Sequence, residues 1–505
     1  MRAGPLGRTV AATVEMTEVP VSTTTNPLRE QHTTADDELA FAGLSRLAQL
    51  LQHGHLTPRE LTEFYLKRIE ALNPGLGAFV STRAEEALVE ADVALERLRA
   101  GERGPLLGIP VAIKDNVDIA GEVTGHGTGA HSTPATVDCE VIRRLRIAGA
   151  PIIGRTALPE LAMWGHLTES HTQGVTRNPW NRELTAGGSS GGTAVAVAAG
   201  MVPVGLGSDG GGSIRIPAAL CGLFGLKPTR GRISMLRDAE HWHGMTVLGG
   251  LGRSVLDVAL FDDALLGPGP GDAHVPPPPC CALAEAARRE PGRLRVAVSL
   301  KGTLPGIRPS ATARRAVQET AELLRSLGHT VGEQDPNYGV LFGDIMPRYL
   351  AGIAEDAARL DHPERLERRS RAMAAMGRRL QGRALRRALT RQQRVTGRIC
   401  AIFADHDIVL TPVTAEPAEP VERWRGIGPL RTFLGGGPYV TYTTVWNVVG
   451  APAAAVPAGL DEHRLPTAVQ IVAPPGGETT LLSLAAQLEA ARPWAHHRPA
   501  VIPTS

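Results

Sequence analysis

Two glycine-rich stretches that carry serine are the first candidates for chemistry in this chain of 505 residues. One is Gly187-Gly188-Ser189-Ser190-Gly191-Gly192, and the other is Gly205-Leu206-Gly207-Ser208-Asp209-Gly210-Gly211-Gly212-Ser213, which continues to Pro217. Because glycines have no side chains, the backbone N–H groups of residues 210–213 can converge on one point, as in an anion-binding nest or an oxyanion hole. A serine at the end of that nest can then attack the carbonyl group that the nest polarises.

A serine hydroxyl is a weak nucleophile, so this chemistry requires a base. No histidine lies near either glycine-rich stretch in a triad-like context, but Lys114 follows the apolar segment 107–113, which has the pattern of a strand. Only four of the 53 basic residues are lysines, so a lysine at such a position calls for an explanation. Lys114 can act as the base if burial lowers its pKa from about 10.4 towards neutrality.

A nucleotide site and a metal site are both disfavoured. The spacing Gly205-x-Gly207-x-x-Gly210 matches a dinucleotide-binding fingerprint, but the glycines and the proline that follow keep the backbone irregular where a helix should begin. No Gly-Lys-Ser/Thr follows either stretch, which excludes a phosphate-binding P-loop. His241 and His243 lack an apparent third ligand for a metal ion. We therefore expect no cofactor and no metal.

Ser189 could alternatively be the nucleophile of an α/β-hydrolase-like esterase. The pattern Gly187-x-Ser189-x-Gly191 matches the nucleophile elbow of that class. The elbow also needs an acid and a histidine, for which Asp405, His406 and His463 are candidates. It needs a preceding strand as well, and residues 181–185 are too polar to predict one.

The lysine segment and the two serine stretches together resemble the amidase signature family of serine amidohydrolases. The lysine segment is Gly108-Ile109-Pro110-Val111-Ala112-Ile113-Lys114-Asp115-Asn116, and Ser213 follows Ser189 by 24 residues. Three supporting segments also fit the family, namely Thr176-Arg177-Asn178-Pro179-Trp180, Gly225-Leu226-Lys227-Pro228-Thr229 and Gly450-Ala451-Pro452-Ala453. The resemblance extends from about residue 38 to about residue 492, which is nearly the whole chain.

The resemblance implies a Ser-cisSer-Lys catalytic triad. Ser213 would be the nucleophile, Ser189 the bridging serine behind a cis peptide bond, and Lys114 the general base. The N–H groups of Gly210, Gly211, Gly212 and Ser213 would form the oxyanion hole. The implied reaction is hydrolysis of a linear carboxamide to a carboxylate and ammonia or an amine, through an acyl-enzyme.

The second serine stretch departs from the family pattern at two positions. Many members have threonine where this chain has Ser208, and a bulkier residue where it has Gly210. An extra glycine is expected to loosen the loop, because glycine loses the most conformational entropy on ordering. Asp209 and Arg215 are predicted to pair and hold the loop, and Lys227 is predicted to be structural.

By the same resemblance, apolar and aromatic side chains would line the acyl site. The candidates are Met163, Trp164, Gly165 and His166, the loop His241-Trp242-His243, and Tyr439, Tyr442 and Trp446. Such a lining would suit an apolar or aryl carboxamide as the small-molecule substrate.

Two rival functions are weighed against a standalone amidase. The first is the glutaminase subunit of a tRNA-dependent amidotransferase, which would feed ammonia to a partner. Residues 233–249 do not resemble that subunit, so the standalone amidase is favoured. The second is a non-catalytic binding protein of the same fold, which the intact triad positions disfavour.

The order of helix and strand patterns predicts an α/β fold. Alternating segments indicate a single large layered domain with a central mixed, mostly parallel β-sheet flanked by helices, and the resemblance implies the amidase signature fold. Residues 1–35 are expected to be a disordered or loosely attached tail, and residues 36–505 to form the domain. Within it we expect N-terminal helices in residues 36–105, the catalytic motifs in 106–260 and an arginine-rich, solvated helical face in 350–400.

Composition argues against several other classes of protein. The formal net charge of +2, from 53 basic and 51 acidic residues, predicts no nucleic-acid or anionic-membrane partner. No secretory signal or transmembrane segment is recognisable, and five cysteines without a Cys-x-x-Cys pair indicate a reducing, cytoplasmic location. For assembly, a homodimer is the expectation, because it is common for such folds.

Overall fold

The computed structural model describes residues 35–235 and 240–500 of the chain. Except for Ala35, the predicted tail of residues 1–35 lies outside the described residues. Fifteen strands and eighteen α-helices are formed by the residues that the structure describes.

The strands are β1 (Phe79–Thr82), β2 (Val111–Lys114), β3 (Ile152–Thr156), β4 (Glu169–Ser170), β5 (Gly174–Val175), β6 (Arg177–Asn178), β7 (Asn181–Thr185), β8 (Val204–Asp209), β9 (Phe224–Lys227), β10 (Val247–Gly252), β11 (Arg295–Val298), β12 (Thr330–Glu333), β13 (Ile408–Pro412), β14 (Ala453–Leu460) and β15 (Pro466–Val472). The helices are α1 (Ala35–Ala40), α2 (Leu44–Gln52), α3 (Pro58–Leu76), α4 (Ala84–Arg99), α5 (Glu140–Ala148), α6 (Gly191–Ala198), α7 (Arg215–Cys221), α8 (Val255–Asp263), α9 (Leu283–Ala286), α10 (Ala311–Ser326), α11 (Phe342–Ala358), α12 (Arg368–Leu380), α13 (Arg383–Thr390), α14 (Gln392–Cys400), α15 (Pro429–Gly435), α16 (Gly437–Val440), α17 (Thr444–Val449) and α18 (Glu478–Ala491).

One sheet of eleven strands organises the fold, in the order β1-β3-β2-β8-β10-β9-β14-β15-β13-β11-β12. β2 is parallel to β3 and to β8, and β11 is parallel to β12 and to β13. The other six of the ten pairings are antiparallel. The prediction of a mixed central sheet is confirmed, but the prediction that it is mostly parallel is wrong.

Two of the six antiparallel pairings, β9 with β10 and β14 with β15, join strands that follow one another with no crossover helix among the described residues. β14 and β15 form a hairpin, whose turn is closed by a hydrogen bond of 2.9 Å from the Asp461 N–H to the Leu465 carbonyl. β10 returns beside β8 in the antiparallel sense and also pairs with β9. A sequence that alternates strands and helices does not show which of its strands return as hairpins, and only parallel neighbours require a long crossover.

The first helices pack on the half of the sheet that contains β2. Helix α3 begins with a capping box, in which the Glu60 N–H donates to Thr57 Oγ1 at 3.2 Å and the Thr57 N–H donates to Glu60 Oε2 at 2.8 Å. Leu61 and Tyr65 on its buried side belong to the same apolar core as Ile113 of β2. This core fixes the strand that ends at Lys114.

The arginine-rich residues 350–400 lie in helices α11 to α14, which with α15 we call the cap. The exposed sides of the cap helices carry arginine, but their other sides are buried in a second apolar core. Gly377 allows α12 to approach α11 closely, because a Cβ atom there would collide with the Leu350 carbonyl. The cap is therefore solvated on one side only, and its inner side covers a cavity.

None of the helices in residues 35–235 and 240–500 combines the length and the hydropathy that a membrane span requires.

Candidate active site

Lys114 is the last residue of β2, and its side chain is fully buried. Its amine nitrogen Nζ lies 2.8 Å from Ser189 Oγ, 3.0 Å from Ser190 Oγ and 2.9 Å from Ser208 Oγ. Asn116 Nδ2 donates to Ser208 Oγ at 3.0 Å and so fixes that hydroxyl from another side. The structure thus brings Lys114 together with Ser189, and it adds Ser190 and Ser208 to the cluster.

The surroundings of the Lys114 amine favour its uncharged form. Burial lowers the pKa of Lys114 to about 7 from an ordinary value of 10.5, and the negative charge of Asp209 opposes this shift only in part. The amine contacts three neutral hydroxyls and, at 3.5 Å, the Ser208 carbonyl, and none of these groups supplies a counter-charge. A large fraction of the amine is therefore uncharged at neutral pH.

Ser189 and Ser190 lie in the turn between β7 and α6. The peptide bond between Gly188 and Ser189 is cis. A Cβ atom at Gly188 would lie 2.6 Å from the Trp164 carbonyl oxygen, so a side chain does not fit at this position. The glycines of the first stretch therefore let the turn pack closely against its neighbours.

A strand does precede Ser189, contrary to the expectation from its polar sequence. Strand β7 pairs with β6 in a separate two-stranded sheet, so the turn does not extend from a strand of the central sheet as a nucleophile elbow would. His406 Nδ1 lies 3.3 Å from the Ile402 carbonyl, and His463 is exposed in the hairpin turn after β14. Within residues 35–235 and 240–500, neither of these histidines forms a hydrogen bond with the Ser189 side chain.

The second glycine stretch forms a loop between β8 and α7 that is organised by the Asp209 carboxylate. The Gly212 N–H donates to Asp209 Oδ1 at 2.7 Å, so this donor is already engaged. The Ser213 carbonyl accepts a hydrogen bond of 3.1 Å from the Ser190 N–H, which ties the loop to the first stretch. Ser213 is buried with 7% of its surface exposed.

Arg215 pairs with Asp209 in the interior, as predicted. Arg215 Nε and Nη2 lie 3.0 and 2.9 Å from the carboxylate oxygens, and the guanidinium also donates to Gln470 and Asn447, each at 2.7 Å. Burial alone would raise the pKa of Asp209, but Arg215, Lys227 and Asn447 hold it far below its usual range. Lys227 is fully buried and donates to a backbone carbonyl at 2.9 Å.

The loop is supported beside Gly210 by the indole of Trp242. A Cβ atom at Gly210 would lie 2.7 Å from the Trp242 ring, so the indole takes the space that a larger residue would fill. Trp242 Nε1 donates to Asp356 Oδ2 at 2.8 Å, and this bond anchors the ring. The loop is therefore packed against an indole at Gly210, a contact that the expectation of a loosened loop did not include.

Ser213, Gly210 and Gly211 line a cavity of about 330 Å³. Among the residues that the structure describes, no aspartate, glutamate, lysine or arginine contributes to its wall. His166 does contribute, and burial lowers its pKa to about 3. The apolar and aromatic residues of the wall include Met163, Trp164, Trp242, Met245, Leu304, Phe342, Ile345, Met346, Tyr349, Phe433 and Leu434. The cavity can therefore receive an apolar group beside the Ser213 hydroxyl.

Two pairs among the residues predicted to line the acyl site lie in different places. Met163 and Trp164 line the cavity, whereas Tyr439 and Trp446 do not. Tyr439 stacks on His166 with ring centroids 6.0 Å apart, and Trp446 is fully buried in the core beneath the cap. The aromatic character of the second pair thus serves packing, which sequence alone does not separate from substrate binding.

Several cavity residues were missed from the sequence because no motif marks them. Ile345, Met346 and Tyr349 lie on α11, and Phe433 lies on α15. Helical periodicity can identify the buried side of such a helix, but it does not show whether that side faces packed side chains or a cavity.

His241 and His243 each lie beside a carboxylate. His241 Nε2 lies 3.1 Å from Asp356 Oδ2, and His243 Nε2 lies 3.3 Å from Glu355 Oε1. His241 and Asp356 also line a second cavity, of about 540 Å³, to which Ser213 does not contribute. In the part of the chain that the structure describes, no group of three or more His, Cys, Asp or Glu residues is placed to hold a metal ion.

Comparison with known proteins identifies the family. The family model described as Amidase matches residues 60–482. The chain belongs to the amidase family. This amidase is 48% identical over 467 residues to a Mycobacterium tuberculosis protein named "Putative amidase AmiB2", covering 92% of this chain and 99% of that protein.

Two further comparisons bear on fold and function. A glutamyl-tRNA(Gln) amidotransferase subunit of Deinococcus radiodurans is 35% identical over 490 residues, covering 89% of this amidase and 97% of the subunit. The solved structure of 6-aminohexanoate cyclic dimer hydrolase with substrate has a TM-score of 0.85 at 30% identity, covering 92% of this amidase and 99% of that chain. The amidase signature fold and membership of this hydrolase family are thereby confirmed.

We expect Arg215→Leu to destabilise this amidase by about 3–5 kcal/mol, because it leaves the fully buried Asp209 carboxylate without its counter-charge. Urea unfolding followed by circular dichroism measures the effect. Arg295→Leu is the control, because the Arg295–Asp407 ion pair is half exposed at the surface. Equal unfolding midpoints for the two variants would contradict the role given to the buried pair.

Proposed function

We propose that this amidase hydrolyses a carboxamide through an acyl-enzyme, with Ser213 as nucleophile, Ser189 as bridging serine and Lys114 as general base. One observation carries the proposal, namely the 2.8 Å contact between Ser189 Oγ and the Nζ atom of a fully buried lysine whose pKa is about 7. A base works best when its pKa lies near the working pH, because it is then both available and strong enough to take a proton.

The hydroxyls around Lys114 satisfy a neutral amine, which has two N–H bonds to donate and one lone pair. The Ser190 hydroxyl donates to the Ser208 carbonyl at 3.2 Å, so its oxygen is free to accept from Lys114. Ser208 Oγ can accept the second N–H. The lone pair is then left for the O–H of Ser189, which is the direction in which the proton must move.

The hydrogen bond from the Ser190 N–H to the Ser213 carbonyl supports the role proposed for Ser213, because it joins the loop of Ser213 to the residue next to Ser189. As Ser213 Oγ attacks the amide carbon, Ser189 takes the Ser213 proton and passes its own proton to Lys114. The N–H groups of Gly210, Gly211 and Ser213 would stabilise the oxyanion. Gly212, which the sequence prediction included, is left out of the proposed hole because its N–H donates to Asp209.

The second half of the reaction returns the proton. Lys114 gives its proton back through Ser189 to the leaving nitrogen, so that the C–N bond breaks and ammonia or an amine departs. Water then attacks the ester carbonyl of the acyl-enzyme while the same relay removes one of its protons. The relay delivers that proton to Ser213 Oγ as the ester C–O bond breaks, and the acid product leaves and ionises to the carboxylate. Both halves use the same groups, and neither requires a bound cofactor.

For the substrate, we propose an apolar or aryl acyl group. The cavity beside Ser213 has about 330 Å³, and none of the described residues places a charged side chain in its wall, so burial of apolar surface would supply the binding free energy. A glutamine side chain would leave polar groups without partners in such a cavity. The cavity therefore argues against a glutaminase role, which the 35% identity to the amidotransferase subunit would otherwise suggest.

Location and assembly remain predictions. The five cysteines all lie in the described residues and none of them forms a disulfide there, which fits the proposed reducing, cytoplasmic location. The homodimer expected from the sequence is tested by measuring the mass of the protein in solution.

The first test is the pH dependence of kcat/KM for a neutral amide. Because the reactive form of Lys114 is the uncharged one, kcat/KM should rise tenfold per pH unit below a pKa of about 7 and level off above it. Initial rates between pH 5 and pH 9 measure this profile, over roughly two units on either side of that pKa.

Two variants make the pH test specific to the proposed relay. In Lys114→Arg, kcat/KM should fall by about 10³-fold or more at every pH, because a guanidinium stays protonated and cannot accept the proton. In Ser213→Ala, kcat/KM should fall at least as far. A flat profile through pH 7, or substantial activity in Lys114→Arg, would contradict Lys114 as the base.

The second test changes the size of the acyl cavity. Met346→Trp adds volume to the cavity wall and should lower kcat/KM for aryl or long-chain anilides by about tenfold or more, with little effect on a short aliphatic amide. Met376→Trp is the matched control, since Met376 lies on the cap with 43% of its surface exposed and does not line the cavity. Equal losses on both substrates would show that the cavity does not hold the acyl group.

A further inference from the structure

The cap carries a positive charge that the net charge of the chain conceals. Residues 368–404 contain eleven arginines and no aspartate or glutamate. Since the whole chain has a formal charge of +2, the remaining residues carry a net charge of −9. The prediction of no anionic partner rested on the sum of these two parts, whereas a partner meets only one surface.

Most of these arginines are available at the surface. Nine of the eleven are exposed, on or beside helices α12 to α14. Of the nine exposed arginines, only Arg391 forms an ion pair with another described residue. Four of the other eight extend along α13 and α14. These four are Arg383, Arg386, Arg387 and Arg394. Their charges are therefore not offset by carboxylates of the same surface.

Exposed apolar side chains surround the mouth of the acyl cavity. Phe342 and Leu434 line the cavity and yet have 65% and 64% of their surface exposed. Val340 and Leu430, close to them in the chain, are 82% and 63% exposed. Two exposed apolar residues of the cavity wall, each with a second one two or four residues away in the chain, are more than the scattered exposure normal for a protein surface.

The arginines and these apolar residues belong to one face. Arg391 pairs with Asp344 at 2.7 Å, and Arg398 donates to the Tyr338 carbonyl at 2.6 Å, so the two arginines flank residues 340–342 from either side. Helix α12 packs against α15, which carries the other two apolar residues. We call this surface, arginines of 368–398 together with Val340, Phe342, Leu430 and Leu434, the basic face.

We propose that the basic face docks the protein on an anionic lipid bilayer. The arginines would contact the headgroups, and the four apolar side chains would enter the interface between headgroups and acyl chains. Basic and exposed apolar residues on one surface fit this partner better than nucleic acid, for which the apolar side chains would have no use. The proposal does not depend on the proposed function, because docking through the basic face requires no chemistry at Lys114, Ser189 or Ser213.

Co-sedimentation of the full-length protein with large vesicles tests the proposal. We expect binding to vesicles of phosphatidylcholine with 30% phosphatidylglycerol, little binding to pure phosphatidylcholine, and release at high salt, where electrostatic attraction is screened within roughly 3 Å. Equal binding to both kinds of vesicle, or binding to neither, would overturn it. Binding to heparin or RNA without binding to vesicles would also overturn it.

A pair of matched variants locates the contact. Replacing Arg383, Arg386, Arg387 and Arg394 by glutamine should lower the partition coefficient by about fivefold for each arginine. The control replaces Arg289, Arg293, Arg315 and Arg325, which are exposed elsewhere, and so removes the same charge. Both should hydrolyse a water-soluble amide like the unmodified protein, which shows that they are folded. Equal loss of vesicle binding in the two variants would contradict docking through the basic face.

Discussion

The buried amine of Lys114 is the group on which the rest of the site depends. An ammonium ion inside a protein normally has a carboxylate beside it, because burying an unpaired charge is costly. Here the amine contacts three hydroxyls, and its pKa falls to about 7. The negative charge of Asp209 raises the pKa of Lys114, but the Asp209 oxygens are bonded to Arg215. In our proposal, this pairing leaves the Lys114 amine without a carboxylate of its own, so that it can act as the base.

This account explains why the same carboxylate also shapes the loop of Ser213. Asp209 accepts the N–H of Gly212 and the guanidinium of Arg215, which in turn is bonded to Asn447 and Gln470. One buried pair therefore sets both the backbone path before Ser213, the proposed nucleophile, and the charge near Lys114, the proposed base. The central sheet completes the arrangement, since β2 ends at Lys114 beside β8, which ends at Asp209.

The sequence was most informative where chemistry demands particular residues close together. The lysine segment, the two serine stretches and the Asp209–Arg215 pair could be located because glycine, serine and an isolated lysine have few other reasons to occur in that order. It was least informative where many residues would serve equally well. Tyr439 and Trp446 proved to be packing residues, and Tyr349 and Phe433 of the cavity carried no local signal. The prediction of mostly parallel strands failed for a similar reason. The antiparallel pairing of β10 with β8 depends on contacts between residues that are far apart in the sequence, which a local pattern does not show.

The most direct measurement is to treat the protein with a fluorophosphonate and to identify the modified residue by mass spectrometry. Our account predicts a phosphonyl adduct on Ser213, absent from Ser213→Ala and formed much more slowly in Ser189→Ala and Lys114→Ala. An adduct on Ser189 that persists in Ser213→Ala would contradict the assignment of the nucleophile.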